Sequence, residues 1–137
     1  MNTSTIIRTI VADNRRINHT AELFGLNFPM RLEPAIFNIA GNIASEYNGG
    51  LWEFYALSNG GFYMAPNTAK QFNVSCENGY EGSMSADALG ITACLYAYSH
   101  LSFGDGAFAE ICAEHYHWLR EYMFEHPEAG CILRAID

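Results

Sequence analysis

Cys112-x-x-His115, with His117 close behind, is the run of this chain that most resembles part of a metal site. Residues i and i+3 of a helix share a face, and both side-chain types ligate transition metals. At 100° per residue, however, His117 points about 160° away from His115, and neither Asp nor Glu completes an inward-facing set. The run reads instead as a core cysteine and a histidine at the core boundary. Cys94 with His100 would supply a thiolate and a base, but Cys94 lies inside the most apolar stretch, where burial raises a thiol pKa and suppresses its reactivity. For general acid-base work Glu53 and Glu81 are the carboxylates nearest a predicted sheet, yet nothing in their spacing makes them converge, and a solvated strand face accounts for both. Asn48-Gly49-Gly50 and Asn59-Gly60-Gly61 have the look of anion nests. Neither follows a strand and opens a helix as phosphate loops do, so both read as turns.

The surface feature with the clearest partner chemistry is acidic. Glu110, Glu114, Glu121 and Glu125 fall within about 60° of one another on a predicted helix. Such a stripe is either a solvated face or a mimic of DNA phosphates. Magnitude decides between them: fifteen residues of helix span about 22 Å, over which B-DNA carries about 13 charges. Four carboxylates acting by charge alone imitate that poorly, so the solvated face is preferred.

The elements that position these groups must come from a chain of 137 residues, 50% apolar and 14% aromatic. That length suits one domain, residues 1–137, with roughly two-thirds of the unfolded surface removed from water. The formal net charge is −8, and residues 35–137 hold three basic residues against twelve acids. So few scattered cations argue against direct nucleic-acid binding, which needs Lys and Arg to displace counterions from phosphates. A basic cleft on another protein would still attract such a surface. Four cysteines without a C-x-x-C pair, and an N-terminus without a charged and then apolar leader, point to a cytoplasmic protein with reduced thiols. The longest nearly apolar stretch, residues 88–98, is too short for the ~20 residues that cross a bilayer.

Helical spacing of Ile7, Ile10, Val11 and Asn14 predicts a helix over residues 4–16, followed by a loop or short second helix. Ile36, Ile39, Ala40, Ile43, Ala44 and Tyr47 predict one helix from Leu32, with Pro34 in its first turn and Asn48-Gly49-Gly50 as its stop. The period then changes to two. Strands over 51–57 and 62–65 flank the turn Ser58-Asn59-Gly60-Gly61, a third follows at Phe72, Val74 and Cys76, and residues 80–84 suit a short fourth beyond Glu77-Asn78-Gly79. Neighbours this close in sequence are expected to pair antiparallel as one meander. Ser85 suits an N-cap with Asp87 in the first turn, and the helix that follows is apolar almost all round. Gly90 inside it costs about 1 kcal/mol against Ala and so marks a close backbone approach. An amphipathic helix carries Phe108, Cys112, His115, Leu119 and Tyr122 opposite the acidic stripe, and a short segment over 131–136 ends the chain. The fold class expected is α+β, a three- to four-stranded antiparallel meander packed among four to five helices.

The runs WEFYALSNGGFYMAP, VSCENGYEGSMSADALGITACLYAYSHLSF and EHPEAGCILRAID, preceded by LEPAIFNIA, occur in order over residues 28–137. In this wording the chain resembles the ArdB/KlcA family of antirestriction proteins. The resemblance implies a non-enzymatic protein of plasmids and mobile elements, without cofactor, that protects incoming DNA from host type I restriction-modification enzymes by a route other than simple DNA mimicry. It also implies an α+β fold with a small antiparallel sheet among helices. Trp52, Glu53, Tyr55, Asn59, Gly60, Gly61, Asn78, Gly79, Asp87 and Gly90 match as family signature. Of these, Glu53, Tyr55 and Asn59, on or beside a strand's polar side, are expected to face a partner, the glycines to serve turns, and Asp87 to start a helix. The resemblance supplies no catalytic residue. A small metal or thiol enzyme using Cys112, His115 and His117, or an acidic module for another partner, are the alternatives; the oligomeric state stays open.

Overall fold

A helix that is apolar on every side has to be surrounded, and in this protein that helix is α3 (Ala86–Ser102). The computed structural model describes residues 5–137. In chain order it holds β1 (Arg8–Ile10), a 3-10 turn (Asp13–Arg15), α1 (Arg16–Phe24), a π turn (Phe28–Leu32) and α2 (Glu33–Ile43). Then come β2 (Trp52–Leu57), β3 (Phe62–Pro66), β4 (Gln71–Ser75), β5 (Glu81–Ser85), α3, α4 (Ala107–Met123) and α5 (Ala129–Ile136). The predicted N-cap is present: the Ser85 hydroxyl accepts the Ala88 N–H at 3.1 Å.

The strands form two antiparallel sheets, β1-β2-β3 and β4-β5, where one continuous meander was expected. The open edge of β3 is already taken. Its Phe62 and Met64 carbonyls accept from Tyr98 Oη at 2.8 Å and Cys94 Sγ at 3.6 Å, both on α3. Gly90 makes that approach possible, since a Cβ there would lie 2.4 Å from Ala65 Cβ and 2.5 Å from the Met64 carbonyl oxygen. A helix therefore lies where β4 would have paired. The β4–β5 hairpin packs instead against α3 and is tied to the residue that follows α2 by a bridge between Ala44 and Val74, and its alternation buries Phe72, Val74 and Cys76 as expected.

The helix predicted over residues 4–16 is also corrected; residue 4 lies outside the described residues. Residues 8–10 form β1, pairing Arg8 with Leu57 and Ile10 with Tyr55. Thr5, Ile6, Ile7, Thr9, Ile10 and Val11 are β-branched, which favours extended backbone. Of the four positions that suggested a helical face, Val11 alone is buried, Asn14 is exposed, and Ile7 and Ile10 are more than half exposed. The second short segment is a helix, α1, closed by Gly25 at φ +62°. The next helix opens near Leu32 as predicted but ends early. Ala44 turns extended to meet Val74, so Ala44 and Tyr47 leave it, and the Tyr47 hydroxyl accepts from Trp52 Nε1 at 3.0 Å.

Candidate functional site

Polar side chains gather where the outer face of the first sheet meets the start of α3 and the α4–α5 junction. Tyr55 and Tyr63 are register partners on β2 and β3, and their rings stack at 4.8 Å. Tyr122 of α4 stacks on Tyr63 from the other side at 5.7 Å. Arg8 reaches over this row from β1: its guanidinium lies 4.4 Å from the Tyr55 ring centroid and donates to Tyr63 Oη at 2.7 Å and Asp87 Oδ1 at 2.8 Å. Tyr63 Oη donates to the same Asp87 oxygen at 2.9 Å.

The second Asp87 oxygen lies 2.8 Å from His126 Nε2. His126 Nδ1 accepts the Glu128 N–H at 3.0 Å, which assigns the facing proton to Nε2. Glu128 in turn accepts from the Ser85 N–H at 2.9 Å and from the Ser85 hydroxyl. One carboxylate thereby joins β1, β3, the α3 N-terminus and the α4–α5 junction.

Electrostatics follow from this geometry. Burial alone would raise the Asp87 pKa, but hydrogen bonds from His126 and Tyr63 and the charge of Arg8 outweigh it and hold the carboxyl below its ordinary range. Burial and the Asp87 charge push the Tyr63 phenol up. Burial would lower the Arg8 pKa, yet Tyr63 and Asp87 prevail and raise it. Arg8 Nη1, Tyr63 Oη and His126 Nε2 are all aimed at neighbours within the protein. The arrangement holds a partly exposed arginine and a tyrosine ring in a fixed pose, which is the chemistry of a contact surface.

The structure brings Tyr55 and Asp87 together and leaves the other expected positions apart. Glu53, two residues before Tyr55 on the same strand face, is half-buried and pairs with Arg16 at 3.2 Å. Asn59 serves the hairpin: its side chain accepts the Gly61 N–H at 3.0 Å and donates to the Trp118 carbonyl at 2.9 Å. Trp118 packs on the turn, where Gly60 takes φ +103° and a Cβ on Gly61 would meet Trp118 Cβ at 3.0 Å. Asn78 does similar work in the β4–β5 turn, donating to the Arg134 and Ala135 carbonyls of α5, with Gly79 beside it at φ +95°. Glu110, Glu114 and Glu121 are exposed on α4, while Glu125, expected on the same helix, is exposed just beyond its end at Met123, and no ion pair engages the four among the described residues.

Cys112, His115 and His117 do not converge. Cys112 and His115 are buried and His117 is exposed on the same helix. Burial pushes the Cys112 thiol up to about 11, and burial together with neighbouring His19 lowers His115 to about 4. Among the described residues no three His, Cys, Asp or Glu side chains are grouped to hold a metal ion. Sequence reasoning missed Arg8, Tyr63 and His126. Arg8 lies 79 residues from Asp87 and sat in a segment read as helix, so no local pattern could join them.

A family model described as "Antirestriction protein" matches residues 45–137. An Escherichia coli protein named "Antirestriction protein KlcA" is 40% identical over 139 residues, covering 98% of this chain and 95% of its own length. The uncharacterized protein YafX of Escherichia coli strain K12 is 44% identical, covering 94% of this chain and 86% of its own. A solved structure from work on KlcA and ArdB, described as a novel fold with antirestriction activity against Type I DNA restriction systems in vivo but not in vitro, superposes with a TM-score of 0.90 at 39% identity and full coverage of both chains. The α+β architecture, the ordered sequence motifs and these matches together place the chain in the antirestriction protein family.

Proposed function

We propose that this protein shields incoming plasmid or mobile-element DNA from the host's type I restriction-modification enzymes, acting in the cytoplasm through protein contacts and without catalysis. The observation that carries this reading is the full-length match to the KlcA and ArdB fold, whose antirestriction is described as present in vivo and absent in vitro. That split favours an action needing a cellular component beyond the purified restriction enzyme. It disfavours direct occupation of a DNA cleft, as does the low charge density of the α4 stripe. The contact surface proposed is the outer face of the first sheet, with Glu53 and Tyr55, the Asn59 turn beside it, and the stripe Glu110, Glu114, Glu121 and Glu125 as a flanking acidic field. Contact with the restriction complex itself or with a regulator of it is consistent with this reading.

Phage plating or plasmid transfer into cells with and without a type I system tests the function: expression of the chain should raise efficiency in restricting cells alone. Equal restriction with and without the protein defeats the proposal. Changing all four stripe glutamates to Gln should leave protection intact, whereas loss of protection at normal protein abundance would return charge mimicry to the field.

A further inference from the structure

A second concave site lies away from the Asp87 cluster. A cavity of about 550 Å³ opens between α1, the π turn and β2, with Arg16, Ile17, Leu26, Phe28, Glu33 and Phe54 among its walls. That volume falls in the range of ligand pockets, and its lining is mainly apolar as theirs is. At its mouth Ile17 and Leu26 are 83% and 81% exposed, and Met30, next in the chain to the lining Pro29, is 74% exposed. Single exposed apolar side chains are ordinary, but two at one mouth and a third beside the chain that walls it mark an interaction surface.

The charges at the site are unbalanced. Arg16 Nη2 lies 3.2 Å from both Asp13 and Glu53, and its guanidinium covers the Phe54 ring at 4.5 Å. Its positive charge is already countered by two carboxylates, although its Nε is buried without a partner. Glu33 has no hydrogen-bond or ion-pair partner among the described residues, and burial raises its pKa while Arg16 opposes the rise. Asp13 and Glu53, outside the lining, already engage the Arg16 guanidinium, so the carboxylate of Glu33 is the charge on the wall left without an ion-pair partner.

We propose that this cavity receives a segment of a partner protein that carries an aliphatic or aromatic side chain with a Lys or Arg close by, the apolar part filling the cavity and the cation pairing with Glu33. A protein is favoured over a small molecule because the apolar rim of Ile17, Leu26 and Met30 extends past what a ligand filling the cavity would cover. The proposal stands independently of the antirestriction reading, since a direct binding measurement tests it, although Glu53 borders both surfaces.

The test is NMR titration of the full-length isotope-labelled protein with n-hexylammonium, n-hexanol, n-hexanoate and a blocked Leu-Leu-Lys tripeptide, read at Thr20, Ala21 and Leu26. Hexylammonium and the tripeptide should give saturable shifts at these residues, with hexylammonium about fivefold tighter than hexanoate, the ratio a half-buried ion pair supports. Glu33→Gln should erase that preference, and Leu26→Ser, at an exposed rim position, should weaken both ligands in a protein that keeps its fold. Hexanoate binding as tightly as hexylammonium would overturn the proposal, because Arg16 would then set the charge selection. So would an unchanged preference in Glu33→Gln, absence of saturable shifts at millimolar ligand, or binding of hexylammonium without the tripeptide, which would make this a small-molecule site.

Discussion

Gly90, Asp87 and His115 show how much rests on single side chains. A methyl group at position 90 would sit 2.4 Å from Ala65 Cβ and 2.5 Å from backbone atoms of Met64 and Ala65, which cannot swing aside. Gly90→Ala gains about 1 kcal/mol in helix propensity but loses more to overpacking, so a net loss of about 2 kcal/mol is expected in denaturant unfolding. Equal or greater stability would refute the close approach. His115 is held near 4 against its ordinary 6.5 by burial, with a smaller push from His19. The unfolded chain therefore takes up the proton first, and stability should fall by about 3 kcal/mol as pH drops from 6.5 to about 4, a loss that His115→Phe abolishes. Asp87 acts in a lower window. Its carboxyl is held below the ordinary 3.8, so its contribution is complete above that pH and is lost as pH falls through the native value. Asp87→Asn should remove this low-pH dependence and cost about 1–3 kcal/mol at neutral pH, since Arg8 and His126 lose their charged acceptor. The helix-start role of Asp87 was legible from Ser85 two positions before it. Its other partners were not, because Tyr63 and His126 stand 24 and 39 residues away.

Periodicity marked α2, α3 and α4 but misread the β1 segment as helix, and strands were readable where a turn lay beside them. Trp52–Leu57 and Phe62–Pro66 flank a Gly-Gly turn and were found within a residue or two. Arg8–Ile10 has three residues, no adjacent hairpin turn and a partner far along the chain, so its Thr9 and Ile10 suited either structure. The division into two sheets escaped sequence reading for another reason: what blocks β3 from pairing with β4 is α3, an element that follows both. The β2–β3 turn shows how an element is anchored. Asn59→Ala removes bonds to Gly61 N and to the Trp118 carbonyl, and should cost about 1–2 kcal/mol by loosening the turn from α4. Single Glu→Gln changes along the exposed face of α4 should each stay within about 0.5 kcal/mol. Thermal melts of the two sets separate an anchoring contact from a solvated row, and similar shifts in both would contradict this division.

One connected core runs from Val11 to Ala135, with α3 at its centre. No helix among the described residues is long and apolar enough to cross a membrane. All four cysteines are free, and three of them are buried. Burial lifts the Cys94 thiol to about 12, so a thiol reagent on the native protein should label the half-exposed Cys131 first and reach Cys76, Cys94 and Cys112 only as the molecule opens. Rapid labelling of all four would contradict a shared core. The edge strand β1 carries a further consequence. During synthesis Arg8 leaves the ribosome well before Leu57, its register partner, and earlier still than Asp87 and the α4–α5 junction. Closing so long a loop is slow compared with forming local helices and hairpins. Strand β1 can thus pair only after residues 52–57 have emerged, and the Arg8 bond to Asp87 that locks it against α3 forms later still.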